Sequence, residues 1–187
     1  MNIKMLLGVL SLVTILVGCG MQNKEDVPDT VAFQDEFTKD FLQSSEEVVE
    51  GHYLFKSRTD GYTVLFPVNA SMDKAVYERT GDEFESVGFV ENVEEQNLSF
   101  VYNIYYDDQP RANDIEFKLS LFETYINYTG YFEEYTKDKI SYYYAENIFE
   151  YKGMKSYRYF AYIKPDIKNK GINFIGRITC IDNGKSY

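Results

Sequence analysis

The chain has 187 residues, a formal net charge of −11, and 18 Tyr and 14 Phe residues but no Trp. This length suits one domain of ordinary size with a substantial core. A strongly acidic protein is repelled by polyanions, and the sequence contains no basic stripe with interleaved aromatic residues. We therefore do not expect nucleic acid as a partner.

The first 18 residues have the pattern of a bacterial lipoprotein signal peptide. One positive charge, Lys4, precedes an apolar run of fourteen residues, 5–18, that ends at Cys19. A helix needs about 20 apolar residues to span a bilayer, whereas a signal peptide has a shorter apolar region. We predict that residues 1–18 are removed and that Cys19 is lipidated, with a diacylglyceryl group carrying chains such as palmitate. The alternatives are an ordinary secretory signal with an incidental cysteine, or a truncated membrane helix.

Residues 19–32 are predicted to form a flexible tether between the lipid and the domain. Residues 21–30 are polar and are interrupted by Pro28, a composition typical of a flexible linker. Removal of Lys4 with the signal lowers the formal net charge from −11 to −12. The predicted location is the outer face of the cytoplasmic membrane, where the lipid on Cys19 anchors the protein.

Residues 33–187 are predicted to form a single domain, which begins with a short helix. Phe33, Phe37 and Phe41 follow nearly helical spacing, with acids and Lys between them. This pattern predicts an amphipathic helix over about residues 34–43.

Two hairpins are predicted next. Strand-forming residues at 53–57 and 62–66 flank a turn with glycine, and a second pair at 85–91 and 98–106 flanks a polar turn. Residues 71–79 between the hairpins fit either a helical turn or a loop.

The clearest helix pattern covers residues 112–128. Its apolar stripe has a period of about 3.6 and consists of Ile115, Leu119, Phe122 and Ile126. Asn113 or Asp114 is the predicted N-cap, and Gly130 lies just past the predicted end.

Strand patterns return after this helix, at 140–144, 148–151, 156–163 and 172–181. Strands with two helices and no regular alternation imply an α+β domain built on a mainly antiparallel sheet. Asn183-Gly184 is a strong turn signal only three residues before Tyr187, so we expect the natural domain to continue beyond this chain.

Motifs for catalysis, cofactors or metals are not recognisable in the sequence. Asp107, Asp108, Asp114 and Glu116 lie within ten residues but lack the spacing of a calcium loop, so a solvated face is the favoured interpretation. We predict a non-enzymatic protein with no catalytic, cofactor or metal site. A carboxylate-based hydrolase of wall glycan or peptide, and a calcium- or solute-binding module, remain the alternatives.

Cys180 and His52 are the remaining candidates for reactive side chains. They are distant in sequence, so a Cys-His nucleophile is not favoured. We expect Cys180 to be a small buried residue in a strand, and pairing with a cysteine outside this chain is left open.

The tyrosines have two interpretations. Tyr142-Tyr143-Tyr144 places rings on both faces of a strand, and the pairs Tyr157 with Tyr159 and Tyr102 with Tyr106 each share one face. Core and rim packing is the default expectation for such residues. If one row is exposed, it forms an amphipathic surface for sugar rings or a protein partner.

Three segments resemble a known family. Residues 31–36, then Gly51-His52-Tyr53-Leu54, then residues 61–67 are similar to the YvcA family of lipoproteins from Bacillus-type Gram-positive bacteria. The resemblance implies an envelope lipoprotein whose relatives continue past Cys180 with a further cysteine and a helix. More loosely, residues 61–67 are similar to the opening of PsbP and Mog1 domains, which implies a binding or assembly role. From the predicted anchor at Cys19 and the acidic, Tyr-rich domain we expect a wall or membrane-protein partner.

Overall fold

The computed structural model describes residues 27–151 and 154–180. Its α-helices are α1 (Val31–Gln34), α2 (Glu36–Lys39) and α3 (Ile115–Ile126). Its strands are β1 (His52–Lys56), β2 (Thr63–Pro67), β3 (Ala70–Met72), β4 (Glu78–Thr80), β5 (Phe84–Val93), β6 (Leu98–Asp108), β7 (Glu133–Lys137), β8 (Ile140–Tyr151), β9 (Met154–Pro165) and β10 (Lys170–Cys180). Within these residues no helix is long and apolar enough to cross a bilayer.

One large antiparallel sheet organises the molecule. Its strand order is β3-β5-β6-β10-β9-β8-β7, with β4 also paired to β5, while β1 and β2 form a separate hairpin. Every pairing between these strands is antiparallel. The predicted α+β class with a mainly antiparallel sheet is therefore confirmed.

One face of the sheet is covered in part by an N-terminal layer made of α1, α2, β1 and β2. The Phe55 ring stacks on Phe41 at 5.3 Å and on Phe66 at 6.0 Å, and Phe66 contacts Phe89 of β5 at 4.8 Å. These four rings are almost fully buried. Each contributes about 1.5–3 kcal/mol through burial, so the layer is held mainly by aromatic packing.

Helix α3 covers the opposite face. Phe122 meets Phe160 of β9 edge-on at 6.0 Å, and Ile126 and Ala145 belong to the same buried cluster. The register explains this arrangement, because Phe160 pairs with both Ala145 and Ile175 and directly paired residues share a face.

Glu85 at the start of β5 is a fully buried carboxylate. It accepts hydrogen bonds from the Ser57 hydroxyl, from the backbone N–H of Arg58 at 3.0 Å and from the Tyr77 hydroxyl at 3.2 Å. Three donors from two other segments therefore converge on one side chain and fasten the β1–β2 hairpin to the sheet.

The N-terminal helix prediction was wrong in extent. Two single-turn helices replace a helix over residues 34–43, because Asp35 is extended between them and its carboxylate accepts from the Thr38 N–H at 2.7 Å. After Asp40 the chain runs beside β1, where Gln43 donates to the Leu54 carbonyl at 3.0 Å. Pairing with the hairpin thus overrides the helical spacing.

Both predicted hairpins are confirmed, with β1 paired to β2 and β5 paired to β6. Residues 71–79, for which the sequence fitted either a helical turn or a loop, contain the end of β3 and the start of β4. The long helix is shorter than predicted, because Asp114 is its N-cap and Asn127 adopts a left-handed conformation at φ 52°. The predicted termination at Gly130 was therefore wrong.

Strand β8 is continuous where two strands were predicted. Its polar middle, Glu146 and Asn147, pairs with Tyr159 and Arg158, so the polar residues do not interrupt the ladder. Strand β7 was not predicted, because its two adjacent acids, Glu133 and Glu134, suit a turn as well as a strand.

The prediction that Cys180 is buried was wrong, because its side chain is exposed at the end of β10. It pairs with Leu98 at the far end of the sheet, away from the buried clusters. His52 lies in β1 and its Nδ1 contacts the Glu50 carbonyl at 3.0 Å. The predicted signal 1–18, Cys19 and the turn at Asn183-Gly184 lie outside the described residues.

Candidate functional site

The tyrosine rows divide between the core and the surface. Tyr106 is buried, and Tyr102 stacks on Phe89 at 4.7 Å, so both belong to the core as the packing interpretation predicts. Tyr143 faces the α3 side, where its ring lies 6.4 Å from that of Tyr162.

The remaining rows form one exposed surface, which we call the tyrosine face. It is contributed by β7, β8 and β9 and consists of Tyr135, Tyr142, Tyr144, Ile148, Tyr157 and Tyr159. Tyr142 pairs directly with Tyr135, and Ile148 pairs directly with Tyr157, so these side chains share one side of the sheet. Tyr135 is 49% exposed, Ile148 60%, Tyr157 42% and Tyr159 41%.

The tyrosine face lies on the same side of the sheet as the N-terminal layer. Tyr159 pairs with Gly176, and Phe174, two residues earlier in β10, packs against the N-terminal aromatic core. That core includes residues of β3, β5, β6 and β10 but none of β7, β8 or β9. Since α3 occupies the opposite side, no described segment covers this surface.

The rings of the tyrosine face contact one another. Tyr135 stacks on Tyr142 at 4.6 Å with an interplanar angle of 6°, and it meets Tyr144 edge-on at 5.9 Å. Six residues separate Tyr142 from Ile148, which is about 20 Å along a strand, and three strands add about 10 Å in width. The tyrosine face therefore covers roughly 200 Å² of aromatic and aliphatic surface.

A hollow of about 380 Å³ lies at one end of this surface. Its lining consists of Glu146, Asn147, Ile148, Tyr157, Arg158 and Tyr159. The Arg158 guanidinium lies 4.2 Å from the Phe149 ring on the α3 side of the sheet, so Glu146, which pairs with Tyr159, is the charged side chain that the hollow has on the tyrosine face. Aromatic rings beside a carboxylate provide both the π surface and the negative charge that attract a cation.

Glu133 raises the pKa of Tyr144, because the Tyr144 hydroxyl donates a hydrogen bond to this carboxylate. Burial and Glu134 raise the pKa of Tyr143 on the other side of the sheet. We expect Glu133→Gln to lower the pKa of Tyr144 toward the usual value of about 10 and to leave Tyr143 unchanged. NMR titration of the tyrosine rings measures this.

Glu134→Gln is the matched control, since it should lower the pKa of Tyr143 and spare Tyr144. Equal effects of both substitutions on both rings would contradict the assignment of the two tyrosines to opposite faces.

The predicted acid cluster has separate structural partners. Asp107 pairs with Lys118, Asp108 lies 3.7 Å from Lys170, and Asp114 caps α3 by accepting from the Phe117 N–H at 3.0 Å. Glu116 lies in the first turn of α3. Across residues 27–151 and 154–180, no group of three or more His, Cys, Asp or Glu side chains is placed to hold a metal ion.

No pattern in the sequence selects Tyr135, Ile148 or Glu133 as part of a site. Tyr135 lies in the strand that was not predicted, and Ile148 was an ordinary strand residue. The alternation of Tyr142 and Tyr144 was the signal available for this surface, and it left both faces open.

The described fold and surface define an α+β domain that presents an uncovered aromatic sheet face. The sequence model of the family described as "Putative lipoprotein YvcA" matches residues 28–186. The chain belongs to this family, as its sequence resemblance predicted.

A curated relative from Bacillus subtilis (strain 168), "Putative lipoprotein YvcA", is 30% identical over 163 residues, which cover 83% of this chain and 68% of the relative. A crystallised protein from Bacteroides thetaiotaomicron aligns with 73% of this chain at 13% identity and a TM-score of 0.41. The chain spans 44% of that protein, less than half of its length.

Proposed function

We propose that this lipoprotein is a non-enzymatic binding protein, anchored through Cys19 at the outer face of the cytoplasmic membrane, whose tyrosine face docks a protein partner. The observation that carries the proposal is the exposure of Tyr157 and Tyr159 beside Glu146 on an uncovered sheet face. Tyrosine is enriched among the residues that dominate protein interfaces.

The charge of the surface favours a basic partner. Three acids lie on this side of β7 to β9, Glu133, Glu146 and Glu150, against two lysines, Lys137 and Lys155, and Lys155 pairs directly with Glu150. The mature chain carries a formal charge of −12, because removal of Lys4 lowers the charge from −11. An Arg or Lys side chain placed over Tyr157 or Tyr159 would gain a cation–π contact of about 0.5–2 kcal/mol. The charge of Glu146 would add attraction in the same place.

The tether limits where that partner is found. The eleven residues 20–30, which lie between Cys19 and the start of α1 within the predicted tether 19–32, can reach at most about 40 Å. The proposed partner is therefore a membrane protein, or a wall protein held close to the membrane.

Tyr157→Ser with Tyr159→Ser is expected to weaken partner binding at least about tenfold, because hot-spot tyrosines contribute about 2 kcal/mol or more each. The loss of stability should be small, since both rings are partly exposed. Photocrosslinking from position 159 in intact cells, repeated with Glu146→Lys, identifies the partner and tests the charge requirement.

Tyr125→Ser with Tyr131→Ser is the matched control, because both tyrosines are exposed but neither belongs to the tyrosine face. A crosslinker at position 125, on α3, should not capture the same protein. Identical adducts from positions 125 and 159 would contradict the proposal. Binding of purified wall glycan that is lost in Tyr157→Ser with Tyr159→Ser would instead support a glycan partner.

A further inference from the structure

A second site lies on the opposite side of the sheet, between α3 and strands β5, β6 and β10. It is a cavity of about 360 Å³ whose walls are largely apolar, including Phe84, Phe122 and Ile175. Ligand cavities range from about 300 to 1,000 Å³, so this one suits a ligand with a single ring.

The polar side chains in this cavity are Asp107, Gln109, Lys118 and Asn173, and Tyr105 and Tyr125 add hydroxyl groups. One Asp107 oxygen pairs with the Lys118 ammonium, and both side chains are 14% exposed. The pair is neutral overall, so the cavity offers no net charge to an ionic ligand.

Two acceptor oxygens of side chains that line the cavity lack a donor. The other Asp107 oxygen, Oδ1, and the Asn173 Oδ1 receive no hydrogen bond from the described part of the chain and are closed off from the open cavity, so a ligand hydroxyl reaches them when these two side chains rotate. Asn173 pairs directly with Tyr105, two residues before Asp107, so the two acceptors are diagonal neighbours on adjacent strands, with Cα atoms about 7–8 Å apart. A buried acceptor without a donor costs about 1–3 kcal/mol, and a ligand that donates to it removes that cost.

Two tyrosines form the rim of the cavity. Tyr105 and Tyr125 join hydroxyl to hydroxyl at 3.1 Å, and their rings meet edge-on at 6.1 Å. Tyr125 and Leu121 on α3 are exposed, so the cavity opens to solvent beside the helix.

We infer that this cavity binds a neutral, polyhydroxylated ring, of the class of a single hexopyranose unit. Hydroxyl groups supply the donors that Asp107 and Asn173 lack, and the C–H faces of the ring suit the aromatic walls. The site is separate from the tyrosine face, because the odd-numbered residues of β6 and β10 point to the α3 side and Tyr157 and Tyr159 to the other.

The test is saturation-transfer NMR on the full chain in detergent, with N-acetylglucosamine and glucose as probes at about 10 mM, well above a millimolar Kd. Cyclohexanol, which has a ring of similar size and one hydroxyl, is the control ligand. We expect transfer to the ring protons of at least one sugar, and a signal at least about fivefold weaker for cyclohexanol.

Two substitutions should abolish the sugar signal. Asn173→Leu removes one acceptor and fills part of the cavity, and Leu121→Trp narrows the mouth from an exposed position on α3. Ser120→Trp is the matched control, since Ser120 is exposed on the same helix but does not line the cavity.

Sugar signals lost in both variants and retained in Ser120→Trp support the inference. Absence of transfer to both sugars, equal signals for cyclohexanol, or signals unaffected by the two variants overturn it. Tyr157→Ser with Tyr159→Ser should retain the sugar signal, so a failure here is distinguishable from a failure of the proposed protein-binding face.

Discussion

Cys19→Ala is expected to abolish incorporation of fatty acid and to leave residues 1–18 uncleaved. The thiol is the predicted attachment site, and the lipoprotein peptidase cuts before a lipidated cysteine. Each buried CH₂ contributes about 0.8 kcal/mol, so two long acyl chains supply on the order of 20 kcal/mol, whereas one chain alone binds a membrane only marginally. Metabolic labelling with an alkyne fatty acid, followed by mass measurement of the N-terminus, checks both results.

Cys180→Ala is the matched control, because Cys180 is the other cysteine of the chain and its exposed thiol lies at the end of β10. It should retain full labelling and normal cleavage. Continued acylation of Cys19→Ala, or loss of acylation in Cys180→Ala, would show that the anchor had been assigned to the wrong cysteine.

The parts of the fold that could be predicted depend on local physics. The β1–β2 hairpin has its turn residues between two runs of strand formers, and α3 has a continuous apolar stripe on one side. Such elements are specified by residues near one another in the chain. The hairpin of β5 and β6 belongs to the same group.

The elements that were predicted incorrectly depend on distant partners. The spacing of Phe37 and Phe41 suits a helix, but both rings pack around Tyr77 at 5.3–5.4 Å, and the chain after Asp40 runs beside β1. Strand β7 is short and entirely exposed, so its sequence lacks the alternation of a half-buried strand. It exists because Tyr135 pairs and stacks with Tyr142.

The tyrosine face illustrates the same limit for a functional site. Alternation along β8 and β9 predicts that Tyr144 and Tyr159 share sides with other tyrosines, but it cannot say which side is covered. That depends on how far the N-terminal layer extends across the sheet, which is set by contacts such as Phe66 with Phe89. The exposure of the face is therefore a property of the assembled layers.

Glu85 is a stronger example, since its position in an alternating strand resembled that of any surface acid. Its burial follows from direct pairing with Tyr106, which places it on the side covered by the β1–β2 hairpin. The hairpin brings the Ser57 hydroxyl and the Arg58 N–H to the carboxylate. The Arg58 guanidinium lies over the Phe41 ring at 4.2 Å, so the same residue also packs on the aromatic core.

Glu85→Leu is expected to lower the free energy of unfolding by about 2–4 kcal/mol. Leucine fills a similar volume but accepts no hydrogen bonds, which leaves the Arg58 N–H and the Tyr77 hydroxyl without their acceptor at about 1–3 kcal/mol each. Relief from burying a charge offsets part of this cost. Urea unfolding of the purified variants measures the difference.

Glu85→Gln removes the negative charge but keeps a hydrogen-bond acceptor, and it should lower the free energy of unfolding by only about 1 kcal/mol. The Gln carbonyl can keep the bonds that Glu85 Oε1 accepts from Arg58 and Tyr77, and the Ser57 hydroxyl can turn toward Thr59 Oγ1, which lies 2.6 Å away. Glu83→Leu, two residues earlier and exposed, should change stability by no more than about 0.5 kcal/mol. If Gln proves as costly as Leu at position 85, the negative charge itself holds the hairpin to the sheet, and the acceptor explanation is wrong.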